Sequence, residues 1–277
     1  MSVRDILAIV TSASGGEPAL AFGAELARQT NGRLSAALVA WQPNVAPVDG
    51  FTVAPIYAEL VEDAQKLLAE EKTKLEERLA KDEGTAAVEP YFIEFGAAGA
   101  ALGMRARHAD LSVVARPSKS DRSSARALVE AALFDSGRPV IIVPPVWKGQ
   151  TIGRNVLVAW KPTREAARAV GDADDFITNA ERVSVVTVDA SPNRGYGEAP
   201  GADITAHLAF RGAKAELFNL ASGGRSETQT ILDQATAVGA DLIVMGGYGR
   251  SRISEFIFGG VTREILTSAD RPVLMSH

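Results

Sequence analysis

Ala240-Asp241-Leu242-Ile243-Val244-Met245-Gly246-Gly247 is an apolar run that opens on an acidic residue and closes on paired glycines. It is the second appearance of one pattern. Ala109-Asp110-Leu111 opens a similar run that ends at Ala115. Downstream of each run, Arg138-Pro139-Val140-Ile141 matches Arg271-Pro272-Val273-Leu274, and far upstream Ile6-Leu7-Ala8-Ile9 matches Val156-Leu157-Val158-Ala159. Three landmarks repeated in the same order identify an internal duplication. The join falls between Pro144 and Gly153, where Pro144, Pro145, Gly149 and Gly153 interrupt every periodicity. Two domains are therefore expected, residues 1–146 and residues 153–277.

Between the landmarks, strand-like and helix-like stretches alternate. The first half reads as strands at 6–10, 34–41, 91–95, 111–115 and 140–143, with helices at 18–29, 56–82, 97–107 and 123–134 between them. The second half repeats the order, with strands at 156–160, 183–188, 213–220, 242–245 and 273–275. Its helices are expected at 163–176, capped by Thr163, and at 202–211, 226–238 and 261–266. Strict alternation of this kind makes parallel strands with helices on both faces. The halves are unequal: helix 56–82 would be about 40 Å long, whereas the second half has a Pro- and Gly-bearing loop, 190–201, and a shorter helix there.

Composition narrows the function. The chain has 277 residues, 46% hydrophobic and 23% charged, as an ordinary globular protein does. Twenty-nine basic residues against 34 acidic ones give a net charge of -5, without a basic block, which argues against nucleic acid as a partner. The chain has no cysteine, so disulfides, thiolate catalysis and thiolate metal sites are excluded. No apolar run approaches the roughly 18 residues of a membrane span. The opening Met1 to Val10, with Asp5 inside it, reads as a strand rather than a signal peptide, and a cytoplasmic location is expected.

One segment carries a chemical signal. Gly246 and Gly249 follow a strand, and after nine intervening residues Gly259-Gly260 open the last helix. Glycines at a strand end let main-chain amides approach a ligand closely, and a helix N-terminus offers unpaired N–H groups and a positive dipole end. Gly246, Gly249, Gly259 and Gly260 are therefore the candidate phosphate-binding residues. Tight turns alone are the competing explanation.

With its duplicated layout and its Gly-two-Gly-nine-Gly spacing before the terminal strand, the chain resembles the universal stress protein family in its tandem two-domain form. The stretch from Gly246-Gly247-Tyr248-Gly249-Arg250 to Gly259-Gly260-Val261-Thr262 carries the resemblance most specifically. The resemblance implies two flavodoxin-like, adenine nucleotide alpha hydrolase-like α/β domains, each with a five-stranded parallel sheet. It also implies an intrachain pseudo-dimer formed through the last strands, 140–143 and 273–275, while leaving a homodimer through other faces open. The implied ligand is ATP or AMP in the second domain, without a metal, and the implied role is stress response or regulation with an unknown protein partner. Any enzymatic activity would be at most slow nucleotide hydrolysis.

The sequence departs from nucleotide-binding members at two places. They put Ser or Thr after the last motif glycine, where this chain has Gly260, and Asp at the end of the first strand, where it has Thr11 and Lys161. Lys161 could meet a phosphate or simply be solvated. The first half has lost the motif: Ala115-Arg116-Pro117-Ser118 and Arg126-Ala127 stand where the glycines should be. A nucleotide-free scaffold or interaction protein of the same fold is thus the alternative. His108, His207 and His277 show no metal-ligand spacing, Asp172, Asp174 and Asp175 read as a solvated acidic face, and Trp41 and Trp160 end strands as packing residues.

Overall fold

The computed structural model describes residues 3–12, 15–44, 54–80, 85–117, 122–147, 151–191, 199–247 and 260–277. The first half runs β1 (Asp5–Val10), α1 (Glu17–Thr30), β2 (Arg33–Trp41), α2 (Ala54–Leu79) and β3 (Thr85–Ile93). A short 3-10 turn (Phe95–Ala97) leads to α3 (Ala98–Ala106), β4 (Leu111–Ala115), α4 (Arg122–Asp135) and β5 (Val140–Val143). The second half runs β6 (Asn155–Ala159), α5 (Arg164–Asp172), α6 (Asp174–Asn179), β7 (Arg182–Val188), α7 (Ala202–Phe210), β8 (Ala215–Leu220), α8 (Glu227–Ala237), β9 (Leu242–Gly246), α9 (Gly260–Ser268) and β10 (Val273–Ser276).

The ten strands form one sheet in the order β3-β2-β1-β4-β5-β10-β9-β6-β7-β8. Each half contributes five parallel strands, and the order of one half mirrors that of the other. The mirror line is an antiparallel pairing of β5 with β10, Val273 opposite Ile142, Leu274 opposite Ile141 and Met275 opposite Val140. All six side chains are buried. Two apolar edges thus cover each other inside one chain, as the expected pseudo-dimer requires.

The sheet is covered on both faces because its central strands alternate two apolar sets. Ile6, Ala8 and Val10 join α1, α5, α6 and α7 in one core, whereas Leu7 and Ile9 join α3, α4, α8 and α9 in the other. Both cores run through the two halves without a break. Each large aliphatic buried in them contributes about 1.5–3 kcal/mol.

The repeated landmarks turn out to be joints. The Asp110 carboxylate accepts hydrogen bonds from the main-chain N–H groups of Arg4 and Asp5 at 2.8 and 2.9 Å. Asp241 does the same for Arg154 and Asn155 at 3.0 and 3.3 Å. The carbonyls of Pro139 and Pro272 likewise accept from Ser112 and Ile243, both at 3.0 Å. Each Asp fastens the start of its half's first strand to its fourth, so the duplication is one of mechanical parts as well as letters.

Four expectations need correction. The helix expected at 163–176 is two helices, broken at Ala173 (φ -92°, ψ 10°), with Asp174 and Asp175 as first-turn acids of α6, where the dipole favours carboxylates. These acids are not merely a solvated face: Asp174 holds Arg211 through two bonds of 2.9 and 2.6 Å, and Asp175 accepts from the Val3 N–H. Strand β3 begins six residues earlier than expected, because Pro90 and Glu89 disguise an edge strand. Helix α2 ends at Leu79; it buries Leu75 and Leu79 in its last turns and packs Leu68 partly against the core, while Leu60 and Leu67 are exposed.

Candidate functional site

The carboxyl ends of β6 and β9 meet the N-termini of α5, α8 and α9, the edge at which open α/β sheets take ligands. Each terminus is built locally. The Thr163 hydroxyl oxygen caps α5 by accepting from Ala166 N–H at 3.2 Å. Ser226 caps α8 by accepting from Gln229 N–H at 3.1 Å, and its own hydroxyl donates to Glu264 of α9 at 2.8 Å. The neighbouring Thr228, buried, donates to the Val261 carbonyl at 3.4 Å. The first turns of α8 and α9 are therefore laced together.

Lys161 stands just beyond β6, after Trp160 extends the ladder by donating its N–H to Val186. Its ammonium pairs with Glu227 in the first turn of α8 at 2.7 Å. The sequence left Lys161 between a phosphate contact and simple solvation; the structure gives it a carboxylate partner. The edge consequently presents three positive helix ends but a lysine whose charge is already matched.

Among the candidate glycines, Gly246 and Gly260 differ sharply. A Cβ on Gly246 would lie 2.5 Å from the Ala166 nitrogen and 2.7 Å from the Glu165 carbonyl carbon, both main chain. Glycine is needed there for α5 to sit against β9, whatever the ligand. A Cβ on Gly260, the first residue of α9, would meet no atom of the described residues within 4 Å. Gly260 itself is exposed among the described residues, and a helix N-terminus is the kind of end that favours an anion. Gly249 and Gly259, with the rest of 248–259, lie outside the described residues, as do Ser118 and Lys119 of the first half.

The first half differs at the equivalent positions. Arg126 and Ala127, which align with Gly259 and Gly260, lie well inside helix α4, and Arg126 pairs with Glu130 at 2.7 Å. Arg116 aligns with Gly247: their N–H groups make equivalent bonds to Val143 and Ser276 at 2.7 and 2.9 Å. The Arg116 guanidinium donates to the Thr267 carbonyl in the last turn of α9. Burial pulls its pKa down, and the Asp270 carboxylate opposes that shift.

Of the remaining candidates, His277 and Trp160 lie at this edge and the others do not. His277 donates from Nδ1 to the Gly247 carbonyl at 3.1 Å and packs edge-on to Phe134, while His207 sits in α7 and His108 in the turn after α3. Among the described residues no cluster of three or more His, Asp or Glu is placed to hold a metal. Trp41 packs against Phe95 at 5.0 Å and Trp160 against the first core. A cavity of about 680 Å³ opens instead at the opposite edge, between Leu26 and Thr30 of α1 and Asp175 and Phe176 of α6. Its charged groups are already paired, Asp175 with Val3 N–H and Arg154 with Glu181 at 2.7 Å.

The lacing by Ser226 was missed from the sequence, although a signal was available: Ser226-Glu-Thr-Gln229 has the spacing of a capping box. The Lys161–Glu227 pair spans 66 residues and leaves no such mark.

Comparison with known proteins agrees with this geometry. The sequence model of the Universal stress protein family matches residues 153–277. The fold is similar to that of a universal stress protein from Archaeoglobus fulgidus DSM 4304, with a TM-score of 0.67 and 18% identity over 98% of this chain and 95% of that one. It is also similar to a putative universal stress protein from Pseudomonas aeruginosa UCBPP-PA14 (TM-score 0.59, 14% identity, 99% and 92% covered). A functionally unknown protein from Pseudomonas aeruginosa PAO1 is a third (TM-score 0.53, 15% identity, 99% and 92% covered). At these identities the likeness is one of fold. No curated protein matches the chain.

Proposed function

We propose that the chain, whose residues 153–277 match the Universal stress protein family, is a stress-response protein of two domains, 1–146 and 153–277. Its second domain takes an adenine nucleotide, ATP or AMP, as a regulatory ligand. The observation that carries this reading is the contrast at one aligned position. Gly260 is the exposed first residue of α9, with no described atom within 4 Å of where its Cβ would be, whereas Ala127 is inside α4. Phosphates would rest on the α9 N-terminus, where unpaired N–H groups and the helix dipole favour an anion. Gly246 and Gly247 bring the end of β9 beside it, and Gly249 and Gly259 belong to the same proposed cradle. A cytoplasmic location is part of the reading. For a membrane partner, no helix among the described residues is long and apolar enough to cross a bilayer.

A second reading, a nucleotide-free scaffold, is favoured by one observation: Glu227 already neutralises Lys161 at the strand end, so that lysine does not wait for a phosphate. Mass spectrometry of the denatured, freshly purified protein separates the two. A released adenine nucleotide in near-equal proportion to chain supports the first reading. Its absence, together with no calorimetric response to added ATP or AMP, supports the second, and phosphate released from added ATP would add slow hydrolysis.

A further inference from the structure

The two outer edges of the ten-stranded sheet are treated differently. An edge strand presents unpaired N–H and C=O groups, and proteins ordinarily blunt it. Which residues point outward follows from the ladder. Val183 opposes Ala215, Val183 N–H donates to Lys214, and Asp189 N–H donates to Leu220, so the even residues of β8 face β7. Ala215, Leu217 and Asn219 therefore direct their main-chain groups outward. By the same reasoning Val88, Pro90 and Phe92 face outward from β3.

The β3 edge is blunted. Pro90 has no N–H to offer, the Gln42 side chain donates to the Phe92 carbonyl at 3.2 Å, and the register shifts between Leu34 and Ala36. The β8 edge has none of these devices. Its register with β7 is regular over six pairs, it contains no proline, and its one charged residue is Glu216. Among the described residues, no partner reaches the outward main chain of Leu217 or Asn219. Phe210, at the end of α7 and next to this edge, is 91% exposed.

We propose that β8 is a self-association edge, which joins a second copy of this chain by antiparallel β8–β8 pairing about a two-fold axis at Leu217. Such an axis keeps each face of the sheet on its own side, as the β5–β10 joint does within the chain. At this register Leu217 opposes Leu217 of the partner subunit, and Ala215 opposes the partner subunit's Asn219. Two Leu217–Leu217 bonds form, and two more run from Asn219 N–H to the Ala215 carbonyl. Glu216 then faces Phe218 of the partner subunit rather than another carboxylate, so no like charges meet. That self-complementarity favours a second copy over an unrelated extended peptide, and the exposed Phe210 adds apolar surface beside the joint.

The full chain should be examined by sedimentation equilibrium from micromolar to hundreds of micromolar concentration, as parent and as Asn219→Pro. The variant removes two of the four bonds, at an outward position equivalent to that of Pro90 in β3. The expected result is a concentration-dependent dimer whose dissociation constant rises roughly ten-fold or more in the variant, with an unchanged circular dichroism spectrum. A parent that stays monomeric throughout, or a dimer indifferent to the substitution, would overturn the proposal. Should Asn219→Pro fail to fold, amide exchange in the parent decides. Leu217 and Asn219 amides that are protected at high concentration and lose protection on dilution support the joint, and fast exchange at every concentration refutes it.

Discussion

Arg116 and Gly247 stand at equivalent points of the two halves, and their N–H groups make equivalent bonds to the closing strands. From there the halves diverge. Arg116 reaches across the joint to the C-terminal turn of α9, where a cation suits the carbonyl end of a helix. Gly247 has no side chain, and a Cβ there would lie 2.9 Å from Leu133 of α4. The first half has converted its strand end into a clamp on the second, while the second keeps glycines there. After duplication, the chain uses this point of the first half for cohesion.

The sharpest way to break this comparison is at Gly246. Gly246→Val would force its side chain into the main chain of Glu165 and Ala166, and because backbone must move, a loss of about 3 kcal/mol is expected in equilibrium denaturation. Its first-half counterpart, Ala115, already carries a Cβ. A cost near zero would mean that β9 and α5 are not in close contact. Next in size is Arg116→Ala, which strips the cation from the last turn of α9. The expected loss is about 1.5 kcal/mol, with the fold retained, and an unchanged denaturation midpoint would remove the clamp from the account.

A pH titration sharpens the same contact. Arg271, through a direct hydrogen bond, and more weakly Arg116 hold the Asp270 carboxyl below its usual range. A depressed carboxylate stabilises the fold fully above its unfolded pKa of about 3.9, and that contribution fades as pH falls through the lower folded value. Parent and Asp270→Asn should therefore differ most at neutral pH and converge in acid. The gap should be small, because the carboxylate is largely exposed. Divergence on acidification would reverse the assigned sign. Smallest of all is Lys161→Ala, expected within about 0.5 kcal/mol of the parent because the pair with Glu227 is solvent-exposed.

Much of the fold is readable in the letters because the central strands are buried on both faces. β1, β4, β5, β9 and β10 appear as short apolar runs, and a parallel sheet with helices on both sides requires that. The edges are less legible. β3 hides behind Pro90 and Glu89, since an edge strand is free to carry residues that a central one rejects. The break at Ala173 is equally silent, because Ala169, Val170, Phe176 and Ile177 keep one apolar stripe on both sides of it. At the candidate site, the glycine spacing was visible but the division of labour was not. That Gly246 serves packing while Gly260 faces open space depends on what α5 places nearby, which is a tertiary fact. The partners of Lys161 and Arg116 are likewise set by the packing of distant segments.

The central claim is that the second half alone, at the N-terminus of α9, receives the nucleotide. Isothermal titration of ATP into the parent, the double variant Gly249→Val with Gly259→Val, and Arg126→Ala tests it directly, with circular dichroism to check that each variant folds. The account predicts one nucleotide per chain, binding abolished in the folded double glycine variant, and unchanged affinity in Arg126→Ala. Two nucleotides per chain, or full affinity in the folded double variant, would contradict it.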